Sequence, residues 1–496
     1  MKLLGSKGRE AFQSALAQLA TYRPERPGRP PRYQYAPPGH RDEGVAMPDT
    51  GAGESEPMPG SIRAAAVAVR AGRLSSVDLV EEALLAVGKF DPELNAVAEL
   101  MATSARAEAV ERDAEAAAGR WRGPLHGVPL TVKDVIDVGG VPTRAGSAAY
   151  EEIPTADAVA VAQVRAAGAV ILAKVTTHEF ALGVTSPQSR NPHDPTRIPG
   201  GSSGGSAIAV STGMGHGSIG TDTRASIRVP AALSGVVGFK PTFGSIPTGG
   251  VVPLSWTMDH VAAMATTVAD AGLLLDVMAG GSTRAGCGTG TDVTGLRVGV
   301  PEATFAGAEP GVVAAVRAGL GLIKGLGCSV GSSARPTAND LEAANAAGLI
   351  ISRCEAAAFH RSLGADRSLY WEEVADQLGA ASEVSAVDYI DAQRLRAELA
   401  DSLLELFGDV DVLAMPTAPV VAPMADDFSR HLLLLSRNAI PWSLTGFPAV
   451  SVPCGFSAGL PVGLQLVARP WREDLLVALG GALEGGFKSC HWAPRG

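Results

Sequence analysis

The segment from Gly200 to Arg228 constrains this chain more than any other. It opens with Gly200-Gly201-Ser202-Ser203-Gly204-Gly205-Ser206, continues through a run of small residues that reads as a helix, and ends in Gly220-Thr221-Asp222-Thr223-Arg224-Ala225-Ser226-Ile227-Arg228. A glycine-rich loop feeding a helix is one way to cradle a phosphate. Here no lysine follows the last glycine, as a Walker loop requires, and no G-x-G-x-x-G follows a strand, so nucleotide binding is set aside. What remains is a pair of serines, Ser202 and Ser226, with Lys133 upstream in Pro129-Leu130-Thr131-Val132-Lys133-Asp134. A serine hydroxyl is a poor nucleophile until a neighbouring base takes its proton, and Ser-Lys arrangements achieve this without histidine.

Composition narrows the class of partner. Of 496 residues, 46% are hydrophobic and only 5% aromatic, which predicts a large core built from Ala, Val and Leu. A formal charge of −10 argues against a nucleic-acid surface and against adsorption to anionic lipid, leaving a small molecule as the expected partner. A homodimer is compatible with the same features. The five cysteines, Cys287, Cys328, Cys354, Cys454 and Cys490, form no C-x-x-C pair and suggest neither a disulfide framework nor a structural zinc. Free thiols, the lack of a secretory leader and the absence of any run of ~18 apolar residues predict a cytoplasmic protein without a membrane span.

Residues 7 to 22 carry Phe12, Leu16, Leu19 and Ala20 at helical spacing, a short amphipathic helix at most. Residues 23 to 59 are rich in proline, arginine and glycine and cannot build a core. Residues 1–57 are therefore expected to form a flexible extension, and residues 58–496 one catalytic domain. Helical patterns begin at Ser61 and again after Ser75-Ser76, with Asp78 in the first turn. Val128 to Val132 and Ala169 to Ala173 read as short apolar strands, with an Ala-rich helix from Asp157 to Ala167 between them. This alternation predicts an α/β fold with a sheet covered on both faces. The Gly/Ser/Thr-rich stretch from Gly280 to Thr291 reads as a surface connection.

With the segments already quoted, Arg190-Asn191-Pro192-His193-Asp194-Pro195-Thr196-Arg197-Ile198-Pro199, Gly235-Val236-Val237-Gly238-Phe239-Lys240-Pro241-Thr242, Met415-Pro416-Thr417-Ala418-Pro419 and Thr445-Gly446-Phe447-Pro448-Ala449-Val450-Ser451-Val452-Pro453 stand in an ordered series. The series resembles the amidase signature family. The resemblance implies a single large mixed sheet between helical layers and hydrolysis of a carboxamide without cofactor or metal. It also implies a Ser-Ser-Lys triad: Ser226 as the nucleophile that becomes acylated, Ser202 as the bridging serine after a cis Gly201–Ser202 peptide, and Lys133 as the base. Lys133 must be neutral to accept a proton, and its apolar neighbours Val128, Leu130, Val132, Val135 and Ile136 are consistent with the desolvation that favours the free amine.

By the same resemblance, the backbone of Thr223, Arg224, Ala225 and Ser226 supplies the oxyanion site, with Ser203 and Asp222 as supporting residues. Most relatives carry a glycine where this chain has Ala225, and an alanine would be strained there if the position needs φ > 0. Exposed arginine is the commoner state, so Arg224 is read as facing solvent or Asp222, the alternative being recognition of an acidic substrate group. His126, His178 and His360 stand in separate contexts and read as hydrogen-bonded structural residues. Trp256 to His260 and the residues around Ile440 to Trp442 are expected to line the acyl pocket. Two rival functions share these motifs: the A subunit of a glutamine-dependent amidotransferase, and a repurposed acyltransferase or non-catalytic homologue with an altered oxyanion turn.

Overall fold

The computed structural model describes residues 2–21, 60–283 and 285–487. Among them eleven strands, β1 (Val97–Leu100), β2 (Pro129–Lys133), β3 (Val170–Val175), β4 (Gly217–Asp222), β5 (Val237–Lys240), β6 (His260–Ala265), β7 (Arg297–Pro301), β8 (Ser329–Ser333), β9 (Val412–Pro416), β10 (Ala449–Ser457) and β11 (Leu460–Ala468), form one sheet. Its order is β1-β3-β2-β4-β6-β5-β10-β11-β9-β7-β8. β2 runs parallel to both β3 and β4, and β7 parallel to β8 and β9, while the central ladders are antiparallel, so the sheet is mixed as expected.

The helices are α1 (Lys2–Ala20), α2 (Ile62–Arg70), α3 (Ser76–Leu94), α4 (Ala102–Ala117), α5 (Val159–Ala166), α6 (Gly204–Thr212), α7 (Arg228–Ser234), α8 (Val268–Met278), α9 (Pro310–Gly325), α10 (Ala338–Leu363), α11 (Glu372–Ala381), α12 (Ala386–Leu406), α13 (Leu432–Ser436), α14 (Ile440–Leu444) and α15 (Glu473–Gly486). The two serine starts are real caps: Ser61 accepts from the Ala64 amide, and Ser75 forms a capping box with Asp78. None of the described helices is long and apolar enough to cross a membrane.

Side chains on a strand alternate between faces, and the core divides accordingly. Ile171, Val261, Ala263, Val412 and Ala414 join the large cluster under α8, α9 and α15. Their neighbours turn the other way: Val170 and Leu172 toward α3, α4 and α6, Ala262 and Met264 toward α6 and α7, Leu413 and Met415 toward α10, α12 and α14. Both faces of the sheet are thus covered by helices.

Two expectations change. Residues 2–20 are not a loose extension: α1 packs on α10, α11 and α12, and Phe12, Ala15 and Leu19 are buried among apolar residues of α10 and α12. The spacing of these three residues gives α1 one apolar face, and the face found a partner that the sequence alone did not reveal. Residues 22–57, the proline-rich part of that expectation, lie outside the described residues. The Gly280–Thr291 stretch is also more than a surface link. Thr283 and Ala285 are buried there, and the carboxylate of Asp276 accepts bonds from the Thr283 hydroxyl and from the Ala285 and Gly286 amides.

Candidate active site

The parallel strands β2 and β4 end side by side, Lys133 closing the first and Asp222 the second. The Gly/Ser loop leads from there into α6. Its glycines are demanded by close approach rather than flexibility. A methyl at Gly201 would run into the Thr185 backbone, and one at Gly205 would lie 2.5 Å from the Thr176 nitrogen. The Gly201–Ser202 peptide is cis. Ser202 is wholly buried, and its carbonyl is fixed by the His178 amide at 3.0 Å and the Ser186 hydroxyl at 3.1 Å.

Lys133 is also wholly buried. Its Nζ lies 2.8 Å from Ser202 Oγ and 2.8 Å from Thr221 Oγ1. Burial lowers its pKa to about 7, against the opposing pull of the Asp222 and Asp259 charges. At pH 7 about half of a lysine so placed is uncharged. The sequence offered no reason to single out Thr221, because only the strand order brings the end of β4 to the end of β2.

Beyond β4 the chain turns through Thr223, Arg224 and Ala225 to Ser226. The backbone N–H groups of these four residues donate no hydrogen bond among the described residues. Ser226 is 4% exposed, its Oγ has no partner among the described residues, and its carbonyl accepts from the Ser203 amide at 3.2 Å, tying the nucleophile candidate to the glycine loop. Ser203 itself bonds to the Thr221 carbonyl at 3.1 Å rather than to Lys133. Thr223 Oγ1 donates to Asp259 at 2.6 Å, and the second oxygen of Asp259 accepts the Leu254 and Ser255 amides. Burial pushes the Asp259 carboxyl up to about 7 in spite of those bonds.

Asp222 holds the turn from behind. It accepts the Ile227 amide, Arg228 through Nε at 3.0 Å and Nη2 at 3.1 Å, and the Ser443 hydroxyl at 2.9 Å. Burial would raise this carboxyl, but the paired Arg228 charge keeps it below the usual carboxylate range. Arg228, fully buried, completes its donor set on the Ala439 carbonyl, Gln465 and Ser443.

Because Asp222 is occupied by Arg228, the expected orientation of Arg224 does not occur. Its side chain is partly buried and reaches α10, where Nη2 donates to Asn345 Oδ1 at 2.6 Å, while its Nε is closed from water without a partner. Ala225 does not require φ > 0, and its methyl packs with Ile198, Val229 and Leu233. Of the segments expected to line a pocket, Met258 and Ile440 do approach Arg224 around Gly348 of α10, while Trp256 is 52% exposed. Asn345 and Arg353, both on α10, were not legible as site residues, since α10 lies more than a hundred residues from the loop.

The histidines lie in separate surroundings. His126 bonds the Arg112 carbonyl, His360 the Tyr370 hydroxyl, and His178 the Thr185 hydroxyl. His178 is buried, packs edge-on to Trp371, leaves Nε2 unpartnered and is pushed down to about 3 by burial and by the Arg353 and Lys133 charges.

The sequence pattern of the amidase family matches residues 78–477, which include the whole of this loop, turn and buried lysine. The chain belongs to that family. It is 36% identical over 470 residues to the A subunit of glutamyl-tRNA(Gln) amidotransferase from Chloroflexus aurantiacus, covering 86% of this chain and 96% of that one. It is 36% identical over 452 residues to an amidase of Pseudomonas putida, covering 86% and 95%. A crystal structure of an amidase superposes with a TM-score of 0.80 at 36% identity, covering 86% of this chain and 99% of the other. The protein is an amide-hydrolysing enzyme.

Proposed function

We propose that this enzyme cleaves a carboxamide through an acyl-enzyme on Ser226, with Ser202 as proton relay and Lys133 as base. The observation that carries this reading is the Lys133 amine, fully buried and 2.8 Å from Ser202 Oγ. Neutral Lys133 draws the Ser202 proton while Ser202 takes that of Ser226, whose oxygen attacks the amide carbon. The carbonyl electron pair moves onto oxygen, where the free N–H groups of Thr223 to Ser226 receive it. Such donors are worth roughly 2.7 to 4 kcal/mol each in comparable sites. Collapse of the tetrahedral intermediate breaks the C–N bond as the proton returns through Ser202 to the leaving nitrogen, releasing ammonia or an amine. Water then attacks the ester, losing its proton along the same path, and frees the carboxylic acid and Ser226.

Asp222 and Ser203 support this arrangement indirectly, Asp222 by fixing the turn and Ser203 by joining it to the loop. The unpaired thiols of Cys328, Cys354 and Cys454 support a cytoplasmic setting.

Labelling with a serine-directed fluorophosphonate, followed by peptide mapping, tests the proposal. The label is expected on Ser226 and absent from Ser226→Ala, and a label elsewhere, or amide turnover by Ser226→Ala within about tenfold of wild type, refutes it. A second reading, in which the chain serves in an amidotransferase assembly, draws on the likeness to the Chloroflexus protein. Copurification with two further subunits and activity confined to glutamine distinguish it from a free-standing amidase.

A further inference from the structure

Three arginines near the turn differ in how their charge is met. Arg228 is paired with Asp222 and donates further to the Ala439 carbonyl, to Gln465 of β11 and to Ser443 of α14. Arg224 has one side-chain partner, the neutral amide of Asn345, and its Nε has none. Arg353 is only 6% exposed, its Nε is unpartnered, and its sole bond is a long 3.4 Å contact to Ser352 Oγ. Neither Arg224 nor Arg353 forms an ion pair among the described residues.

Both belong to one wall, since Arg224 reaches Asn345 of α10, the helix that carries Arg353. Burial and the Arg353 charge bring Arg224 down to about 9, and burial lowers Arg353 to about 10 against the attraction of Glu373. The surrounding carboxyls do not neutralise them. Glu373 attracts Arg353 without an ion pair and is raised by burial to about 7. Asp259 is consumed by Thr223 and two amides, and Glu179 by Ser147 and the Trp371 amide. Burying an unpaired cation is costly, because the charge loses its hydration and gains no counter-ion. Arg353 buried on α10 and the partly buried Arg224 that reaches the same helix, two residues before the candidate nucleophile, are cations without a counter-ion among the described residues and call for an anion from outside the chain.

We infer that Arg224 and Arg353 form an anion subsite that selects amides carrying a carboxylate. The inference rests on the proposed role of Ser226: Arg224 lies two residues before it, and its side chain leads from the reacting turn past Met258 and Ile440 to α10. A guanidinium presents a planar fork that matches a carboxylate in two hydrogen bonds, and the Nη groups of Arg224 and Arg353 have only neutral partners among the described residues.

The test compares kcat/KM for matched pairs in two arms. One arm places the carboxylate on the acyl part, as succinamate, glutaramate and adipamate against neutral alkyl amides of equal length. The other places it on the amine part, as N-acetyl amino acids against N-acetyl alkylamines. The expected result is a preference of tenfold or more for the charged member in one arm, which identifies the side recognised. Arg224→Met and Arg353→Met should each cut that preference at least tenfold. A preference that survives both substitutions, no preference in either arm, or equal losses on charged and neutral substrates overturns the inference. Binding keeps its fate separate from that of the nucleophile. Succinate, glutarate and adipate are titrated calorimetrically into Ser226→Ala with and without each arginine substitution. Binding of one of them that both substitutions abolish supports the subsite, and no binding overturns it. Arg353→Met should also melt at or above the parent without ligand, since it removes an unpaired buried charge.

Discussion

The turn from Gly200 to Ser226 and the helical layer of α10, α11 and α12 face one another but are built on different principles. The turn segment is dense in glycine and serine, and its loop is held by close backbone contact: Gly201 against Thr185, Ser203 against Ser226, Ser202 against His178. Its chemistry is local. The helical layer is assembled from segments far apart in sequence, held by apolar packing with Leu349, Ile350, Ala392 and Leu399, and extended by α1. It contributes Asn345, which accepts a bond from Arg224 of the turn, and the buried Arg353, and neither belongs to any motif. On the proposed reading the difference separates two decisions: the turn would set which bond is broken, and the layer which molecule is held there.

Disabling the turn should have the largest effect. Lys133→Ala and Ser202→Ala are each expected to lower kcat about a thousandfold or more, with the double variant no worse than either alone, because the residues act as one unit. Additive losses in steady-state kinetics would break the shared proton path. In the unaltered enzyme the proposed base, Lys133, should set the acid limb of the pH profile. Lys133 works only when deprotonated, so kcat/KM should fall roughly tenfold per pH unit below about 7 and level off above it. A profile flat from pH 5 to 9 would remove Lys133 from the role.

Disturbing the layer should affect stability and selectivity more than the bond-breaking step. Phe12→Ala, which empties the α1 contact, is expected to cost about 3 kcal/mol, read by denaturant unfolding, while Ser226 still takes the fluorophosphonate label. Loss of labelling with retained stability would show that α1 reaches the turn. The smallest effect is expected at Gly348 of α10. A Cβ there would sit 3.6 Å from both Ile440 and Met258 and 3.9 Å from Arg224 Nε, ordinary contact distances. Gly348→Ala should therefore raise stability by up to about 1 kcal/mol, as expected for glycine replaced inside a helix, and a lower melting temperature would mean the wall is tighter than these contacts imply.

Legibility followed the same division. Ser61 and Ser75 as helix starts and β2 and β3 as apolar strands were readable because caps and short apolar runs are local signals, whereas the mixed sheet was expected from resemblance. The meeting of Lys133 with Ser202 was expected from resemblance, whereas its second partner Thr221 was not, since that contact depends on β4 lying beside β2. Arg224 was misread because Asp222, its near neighbour in sequence, is taken by Arg228, which reaches it from the first turn of α7.

Ordered motifs in the chain, through their resemblance to a family, were enough to define that family and the α/β class, because glycine and serine at close spacing leave the backbone few ways to pass. The docking of α1 and the inward course of Arg224 came from packing instead. So did the division of the buried charges into those that found a partner and those that did not. These outcomes depend on long-range contacts between segments whose individual patterns are ordinary, and the balance of burial and pairing that selects them exists only once the layers have packed.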